Sequence, residues 1–452
     1  MKTKAILLAA AVGVTAWISR AQVPGQPDAS SPPERPPRQA APPGPRRDRP
    51  DRPQGQAQKY SIDQAVSDNA QLHTIAFSGL AFLTGDFGAS TFMPPGKVCD
   101  FFGFQYMRDI DAAAKGHNPM FLNRVAGNVL HVLNERQKQQ FMDLANEQAP
   151  QLEALARMRW PLIKAFHRQL DGQIPPGSDG LNRAAVVRYT GDIFARDAEL
   201  SLRRAEVMAQ VAASLNPEQK AYLAKMKFGD FNTWPALDER DSLKAAGRGK
   251  PPLFNVAYMT YASEFFSWTA GSLEADTYFC PERHGTYFGG FYMKDMPAMG
   301  KRDFDISISR TGDSGQAFLE QVLTESQRSE ISGILQQQSR DIREAVTVRR
   351  SIAIELRKYL AAAAPDREKV IALGRRYGEL DGEMSWLYAT AFARVNRTLT
   401  PSQRAELLKL RNLDGYHSAP AYIYSGPVSD LSGLTNSDFL FAAPKTADAG
   451  MK

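Results

Sequence analysis

Apolar residues recur at intervals of three and four along several long segments of the chain, which is the period of an α-helix with one buried face. Four of these segments are long, and a turn in which Gly or Pro interrupts the pattern separates each pair, at 171–178 and at 361–366. Each pair should therefore fold back as an antiparallel hairpin. The predicted long helices cover about 134–170, 181–213, 324–361 and 366–397.

Shorter helices are predicted on both sides of each hairpin. One precedes the hairpin, at about 61–83 and 253–272, and one follows it, at about 217–227 and 401–412. A connector rich in aromatic residues, Gly and Pro lies between the first helix and the hairpin in each half. We therefore expect an all-α protein, with two tandem repeats of one antiparallel helical hairpin unit and irregular connectors.

The two halves also share sequence. Aligning the chain with itself places the run from Tyr106 to Asp109 on the run from Tyr292 to Asp295, so features that both halves keep should serve the shared fold. The expected organisation is a signal peptide at 1–21, a Pro- and Arg-rich tether at 22–58, repeat 1 at 59–245, repeat 2 at 246–425 and a C-terminal tail at 426–452.

The N-terminus has the three parts of a secretory signal. Lysines precede an apolar run at 5–17, and a small-residue cleavage site follows and ends at Ala21. The apolar run is shorter than the ~20 residues that a membrane span needs, and no later segment is longer and equally apolar. We therefore expect an exported protein of the periplasm or cell surface, or a secreted one, without a membrane span.

Charge is unevenly distributed along the chain, whose formal net charge is +6. Much of the excess lies in the signal and in the tether, and the tether has almost no large apolar side chain that could stabilise a fold. Its arginines are either solvated or in contact with an anionic surface. The remaining residues are nearly neutral, so we expect no nucleic-acid binding.

Four short motifs mark helix starts. In each, Leu is followed by Thr or Asn, and a Gln stands three places after that residue, which is the spacing of a capping box. The Thr or Asn oxygen accepts from a backbone N–H of the first turn, and the Gln reaches back to the cap residue. The motif residues are Leu133, Asn134 and Gln137; Leu215, Asn216 and Gln219; Leu323, Thr324 and Gln327; and Leu399, Thr400 and Gln403.

Paired motifs of this kind, on either side of a long charged hairpin in an exported chain, resemble the Spy/CpxP family of periplasmic chaperones and stress adaptors. The likeness covers roughly 130–230 and 320–415. It implies an ATP-independent protein whose paired hairpins form a cradle for partly unfolded or envelope proteins. Family members usually pair two chains, so the duplication predicts either a homo-oligomer or a pseudo-dimer within one chain.

Charged residues recur inside the apolar stripes of both hairpins. Arg159 and Asp197 stand within about one helical turn of facing each other, and Arg349 and Asp381 do the same in repeat 2. We predict an ion pair across each hairpin, which would fix its register. Pro161, like Pro150, has no counterpart in repeat 2, so only the first long helix should kink or break.

The connectors carry the main candidates for ligand or client contact. Both keep a Tyr, a cation and an acid close together, which can line a groove or can simply pack and solvate the connector. These residues are Tyr106, Arg108, Asp109, Tyr292, Lys294 and Asp295. Cys99 and Cys280 also lie in the connectors and form either a disulfide or two free thiols.

Neither a metal site nor an active site is predicted. Met293, Met296 and Met299 could hold a soft ion through thioethers, but repeat 1 lacks the pattern, and core packing is the preferred interpretation. The histidines have no ligand spacing, and no catalytic or nucleotide-binding motif occurs. We expect no enzyme activity and no cofactor.

Three functions are compatible with this sequence. The leading hypothesis is an exported ATP-independent chaperone-like or envelope-stress adaptor protein that binds unfolded or partner polypeptides. The first alternative is a periplasmic sensor or binding protein for a metal or small ligand that uses the connectors. The second is a structural envelope protein whose tether reaches a partner.

Overall fold

The computed structural model describes residues 66, 68–84, 107–108, 119–226, 235, 237, 252–271, 273, 276, 317–411, 422–423, 426–427 and 436–441. Helices make up nearly all of these residues, which confirms the all-α fold class. The predictions on the signal peptide, the tether, the Met run, and residues Cys99, Cys280, Tyr106, Asp109, Tyr292, Lys294 and Asp295 fall outside the described residues.

The helices follow the predicted order in both halves. Repeat 1 contains α1 (Asp68–Thr84), α2 (Pro119–Val132), α3 (Glu135–Arg157), α4 (Trp160–Asp171), α5 (Arg183–Ala213) and α6 (Pro217–Lys225). Repeat 2 contains α7 (Pro252–Ala270), a π-helical turn (Phe318–Val322), α8 (Glu325–Arg357), a 3₁₀ turn (Lys358–Ala361), α9 (Arg367–Thr398) and α10 (Pro401–Arg411).

Two small elements complete the described chain. Strand β1 (Met107–Arg108) pairs antiparallel with β2 (Tyr422–Ile423), which pairs antiparallel with β3 (Gly426–Pro427). A 3₁₀ turn covers Asp438–Leu440. We did not predict these elements or α2 from the sequence; the strands depend on pairing between residues distant in the chain.

The first long helix is broken where the prolines differ between the repeats. It ends at Arg157 and resumes at Trp160, with Pro161 in the first turn of α4. Pro161 has no N–H and its ring excludes the preceding helical carbonyl, so it favours a new helix start. The equivalent helix α8 runs without interruption from Glu325 to Arg357, as predicted.

Helices α5 and α9 pack closely as an antiparallel pair at the centre of the molecule. Gly374, Gly378 and Gly382 recur every fourth residue on the face of α9 that meets α5. A Cβ at Gly374 would lie 2.8 Å from the Phe194 carbonyl oxygen, and one at Gly382 would lie 2.9 Å from the Val187 Cα. Only glycine therefore permits this approach of the two backbones.

The first helix of each repeat packs mainly on the other repeat. Helix α7 contacts α2, α3 and α5 of repeat 1, whereas α1 contacts α8, α9 and α10 of repeat 2. Ring contacts join the same elements, at 5.6 Å between the centroids of Phe141 and Phe265 and at 6.1 Å between those of Phe82 and Phe392. The two repeats therefore exchange their first helices, and both repeats belong to one compact unit, Ala57–Lys452.

Candidate functional site

The two motifs of repeat 1 form the predicted capping boxes. The Gln137 N–H donates to Asn134 Oδ1 at 3.0 Å, and the Asn134 N–H donates back to Gln137 Oε1 at 3.0 Å. Asn216 and Gln219 exchange the same bonds at 2.8 and 2.9 Å. These boxes begin α3 and α6, and Leu133 before the first one is buried in the core.

Repeat 2 repeats this geometry. Thr324 and Gln327 exchange bonds of 3.3 and 2.9 Å at the start of α8. Thr400 and Gln403 exchange bonds of 3.2 and 3.0 Å at the start of α10. All four capping boxes expected from the sequence are therefore present, and each satisfies backbone donors that have no partner within the helix.

The paired motifs also bind each other, which the sequence did not predict. Gln219 Nε2 donates to Gln137 Oε1 at 2.7 Å, and Gln137 Nε2 lies 3.3 Å from Gln219 Oε1. The same two amides donate to the carbonyls of Val132 and Ser214 at 2.9 and 3.1 Å. We call this arrangement the clasp of repeat 1, because it joins the start of α3 to the end of α5 and the start of α6.

The clasp of repeat 2 uses the equivalent residues. Gln403 Nε2 donates to Gln327 Oε1 at 2.7 Å and to the Val322 carbonyl at 2.9 Å. Gln327 Nε2 donates to the Thr398 carbonyl at 3.1 Å. Each Gln thus bonds the cap residue of its own helix and also groups at the opposite motif. The two motifs of a pair therefore act as one structural unit.

An open cleft of ≈ 460 Å³ lies beside the clasp of repeat 1. Its wall includes Tyr222, whose hydroxyl donates to Asn128 Oδ1 at 2.6 Å and whose pKa is raised by burial. The remaining lining residues are His131, Val132, Leu133, Asn134, Asn216, Glu218 and Gln219. Among the described residues, no group of three or more His, Cys, Asp and Glu side chains is placed to hold a metal ion.

Four charged side chains that we predicted to pair across the hairpins lie in the core, and their pairing stays a prediction. Arg159, Asp197, Arg349 and Asp381 are all buried, with 0–2% of each side chain exposed. The Arg159 guanidinium lies over the Phe194 ring, 4.7 Å from its centroid. Phe194 stands about one turn before Asp197 on α5.

Repeat 2 likewise places its buried arginine against an aromatic side chain. Arg349 Nη1 donates to the Tyr377 hydroxyl at 3.4 Å, one turn before Asp381. Tyr377 and Phe194 are in edge contact across the α5–α9 interface, with ring centroids 5.0 Å apart. The two arginines that we predicted as ion-pair partners therefore flank an aromatic pair at the centre of the molecule.

Two ion pairs connect α7 and the residues after it to the hairpins. Arg204 on α5 lies 3.3 Å from Glu264 on α7, and both side chains are at least nine-tenths buried. Arg357 on α8 forms a partly buried pair with Asp276 and also donates to the Trp268 carbonyl at 2.9 Å. Glu264 is the one charged side chain of α7, which was the sequence signal for a buried partner.

The remaining predicted connector residue within the described chain is Arg108. It lies in β1, in register with Tyr422 of β2. The connector hypothesis otherwise rests on residues outside the described ranges. None of the helices in the described ranges has the length and apolar character needed to cross a bilayer.

No family model, curated protein or solved structure matches this chain.

Proposed function

We propose that this protein is an exported, ATP-independent chaperone-like or envelope-stress adaptor protein that binds unfolded or partner polypeptides. The observation that carries this proposal is the pair of clasps. Each closes the open end of a helical hairpin with two reciprocally bonded Gln side chains, Gln137 with Gln219 and Gln327 with Gln403. The paired motifs, on which the resemblance to the chaperone and adaptor family rests, therefore bond to each other in both repeats.

The central helices support the proposal by joining the hairpins. Helices α5 and α9 bring one hairpin of each repeat together within a single chain. Exchange of α1 and α7 then ties each hairpin to the other repeat. A protein that binds clients on paired hairpins would gain from this arrangement, because the pair stays assembled at any protein concentration.

The outer surfaces of the hairpins combine charged and apolar side chains. Arg–carboxylate pairs connect neighbouring helices, such as Arg203 with Glu147 at 3.1 Å and Arg376 with Glu344 at 2.7 Å. Ile354 is 46% exposed on α8. Such a surface offers both weak apolar contacts and screened charges to an unfolded polypeptide.

Suppression of client aggregation tests this proposal. The chain from Gln22 onward should keep several chemically unfolded clients in solution at a near-stoichiometric ratio without ATP. Lack of suppression across clients that differ in size and charge would contradict the proposal.

A matched pair of variants tests whether the outer face takes part. Ile354→Ser should weaken suppression, because it removes an exposed apolar contact. Thr347→Ser, two turns earlier on the same exposed face of α8, should leave suppression unchanged. Equal effects of the two variants would indicate that clients bind elsewhere.

A further inference from the structure

The C-terminal tail returns to the turn of the first hairpin. Residues 436–441, which we call the strap, lie against α4 and α5 and include the 3₁₀ turn Asp438–Leu440. Leu440 is 0% exposed, Phe441 4% and Ser437 0%, so three of the six residues of this segment are buried here. The sequence pattern had indicated only a tail.

The backbone of the strap is bound at two points. The Asn182 N–H donates to the Leu440 carbonyl at 2.8 Å, at the N-cap of α5. The Ser178 hydroxyl lies 3.1 Å from the Phe441 carbonyl. The hairpin turn therefore contacts the two consecutive carbonyls at the end of the 3₁₀ turn, and these contacts do not depend on the side chains of the strap.

The side chains of the strap are also bound. Arg168 Nη1 donates to Asp438 Oδ1 at 2.6 Å and to Ser437 Oγ at 2.9 Å. The same guanidinium lies 4.9 Å from the centroid of the Phe441 ring. One arginine thus contacts an acid, a hydroxyl and an aromatic ring, which gives the site selectivity for a sequence as well as for the backbone of the turn.

The second aromatic residue of the strap lies at the edge of the site. The Phe439 ring meets the Tyr189 ring edge-on, with centroids 5.1 Å apart, and Phe439 remains 39% exposed. This position should tolerate different aromatic or large apolar residues. The buried positions of Leu440 and Phe441 should be more restrictive.

Within the described ranges, the turn of the second hairpin is bonded by a carboxylate of its own hairpin. The N-cap of α9 is Asp366, and its N–H donates to Glu355 Oε2 at 3.1 Å, a carboxylate from the same hairpin. Repeat 1 has Ala165 in place of Glu355 when the repeats are aligned at Arg159 and Arg349. The equivalent N–H in repeat 1, that of Asn182, bonds the Leu440 carbonyl of the strap.

We propose that the turn of the first hairpin is a peptide-binding site, which the strap occupies in cis. Its partner is a segment of another polypeptide that has the chemistry of the strap, Ser-Asp-aromatic-Leu-aromatic, and adopts the same 3₁₀ turn. Because these contacts come from the five consecutive residues 437–441, the same recognition can be supplied by a different chain. A partner must compete with a tethered occupant, so the strap sets the threshold for binding. This site is separate from the outer faces considered for client binding.

A labelled peptide with the sequence of residues 434–443 tests the proposal on the full chain. It should bind saturably to a variant with Leu440→Ser and Phe441→Ser, in which the strap is released. Binding to the unaltered chain should be weaker by about tenfold or more, because the strap competes at high effective concentration. Equal affinity for the two proteins would overturn the proposal.

Substitution of the receptor side identifies the site. In the strap-released chain, Arg168→Leu should weaken peptide binding by about tenfold, the scale of a lost charged hydrogen bond. Lys358→Leu, at the equivalent position of hairpin 2, should not change it. Arg168→Asp should bind a peptide carrying Asp438→Arg better than the natural peptide, and failure of this charge exchange would overturn the assignment of Arg168.

A measurement on the unaltered chain covers the case in which the strap-released variant does not fold. Excess peptide should displace the strap and accelerate hydrogen exchange of its amides, including those of Leu440 and Phe441. A peptide in which these two residues are Ser should have no such effect. If excess natural peptide leaves exchange of the strap unchanged, the site does not accept a segment from another chain.

Discussion

The Tyr261 hydroxyl donates a hydrogen bond of 2.8 Å to Gln148 Oε1, although the two residues belong to different repeats. Gln338 Nε2 lies 3.1 Å from Gln71 Oε1, so the equivalent long helix of repeat 2 makes the reciprocal connection to repeat 1. Both contacts are buried. The first helix of each half is thus bonded to the hairpin of the other half, as in a dimer that has exchanged one helix between its subunits.

This exchange predicts that the two halves need each other to fold. Residues 59–245 and 246–452, produced as separate chains in the same cell, should form a stable one-to-one complex. Each half alone lacks the helix that covers its hairpin core and should be unstable or should form an exchanged homodimer. Sizes and stabilities measured by light scattering and urea unfolding test this. Two monomeric, cooperatively folded halves would contradict the exchange.

The clasps predict a large effect of single Gln substitutions. Gln219→Ala should lower the free energy of unfolding by about 1–3 kcal/mol, because several buried groups lose their partner at once. Gln403→Ala should have a similar but smaller effect, since Gln403 is only partly buried. Gln210→Ala, at an exposed position of α5, is the control and should change stability by less than about 0.5 kcal/mol. Urea unfolding provides the measurement, and equal effects of all three would exclude a structural role for the clasps.

Local signals in the sequence predicted most of the fold. The helical period, the turns and the capping boxes each depend on neighbouring residues, so the long helices and their starts were placed correctly. The break before Trp160 followed from Pro161. Comparison of the two repeats showed which features both halves keep, and these features located the shared elements.

Contacts between distant segments were not predictable in the same way. The exchange of α1 and α7 leaves no periodic signature, because either hairpin could have accepted either helix. The aromatic contacts of the two buried arginines were also missed, although Arg159 lies over the Phe194 ring and Arg349 donates to the Tyr377 hydroxyl. A helical stripe specifies a buried face, whereas the packing of the side chains there decides which residues touch.

The turn of the second hairpin predicts a specific acid sensitivity. Burial opposes ionisation of Glu355, but hydrogen bonds from Lys358, Lys369 and the Asp366 N–H outweigh it and lower the pKa of Glu355 from 4.5 to about 2. A lowered pKa in the folded state stabilises the fold above pH 4.5, and this contribution is lost as the pH falls toward 2.

Glu355→Gln should therefore reduce the dependence of stability on pH in this acid range. Urea unfolding midpoints of the variant and of the unaltered chain should differ most near neutral pH and converge toward pH 2. Glu368→Gln, at an exposed position in the first turn of α9, is the control and should retain most of the pH dependence. A constant difference across the range would mean that the charge of Glu355 contributes nothing.

Substitution of glycine by alanine should change the free energy of unfolding in opposite directions at two positions of repeat 2. A Cβ at Gly378 would lie 2.8 Å from the Phe194 Cβ and 2.9 Å from the Gly191 Cα, so Gly378→Ala should separate α5 from α9 and destabilise the fold by about 1–3 kcal/mol. At Gly333 the nearest atom is 3.9 Å away, on the Gln337 side chain, so Gly333→Ala should stabilise α8 by about 0.5–1 kcal/mol. Both values follow from urea unfolding of the full chain. If Gly378→Ala is also stabilising, the close approach of α5 and α9 is not maintained in solution, and the central pairing of the repeats must be looser than the geometry indicates.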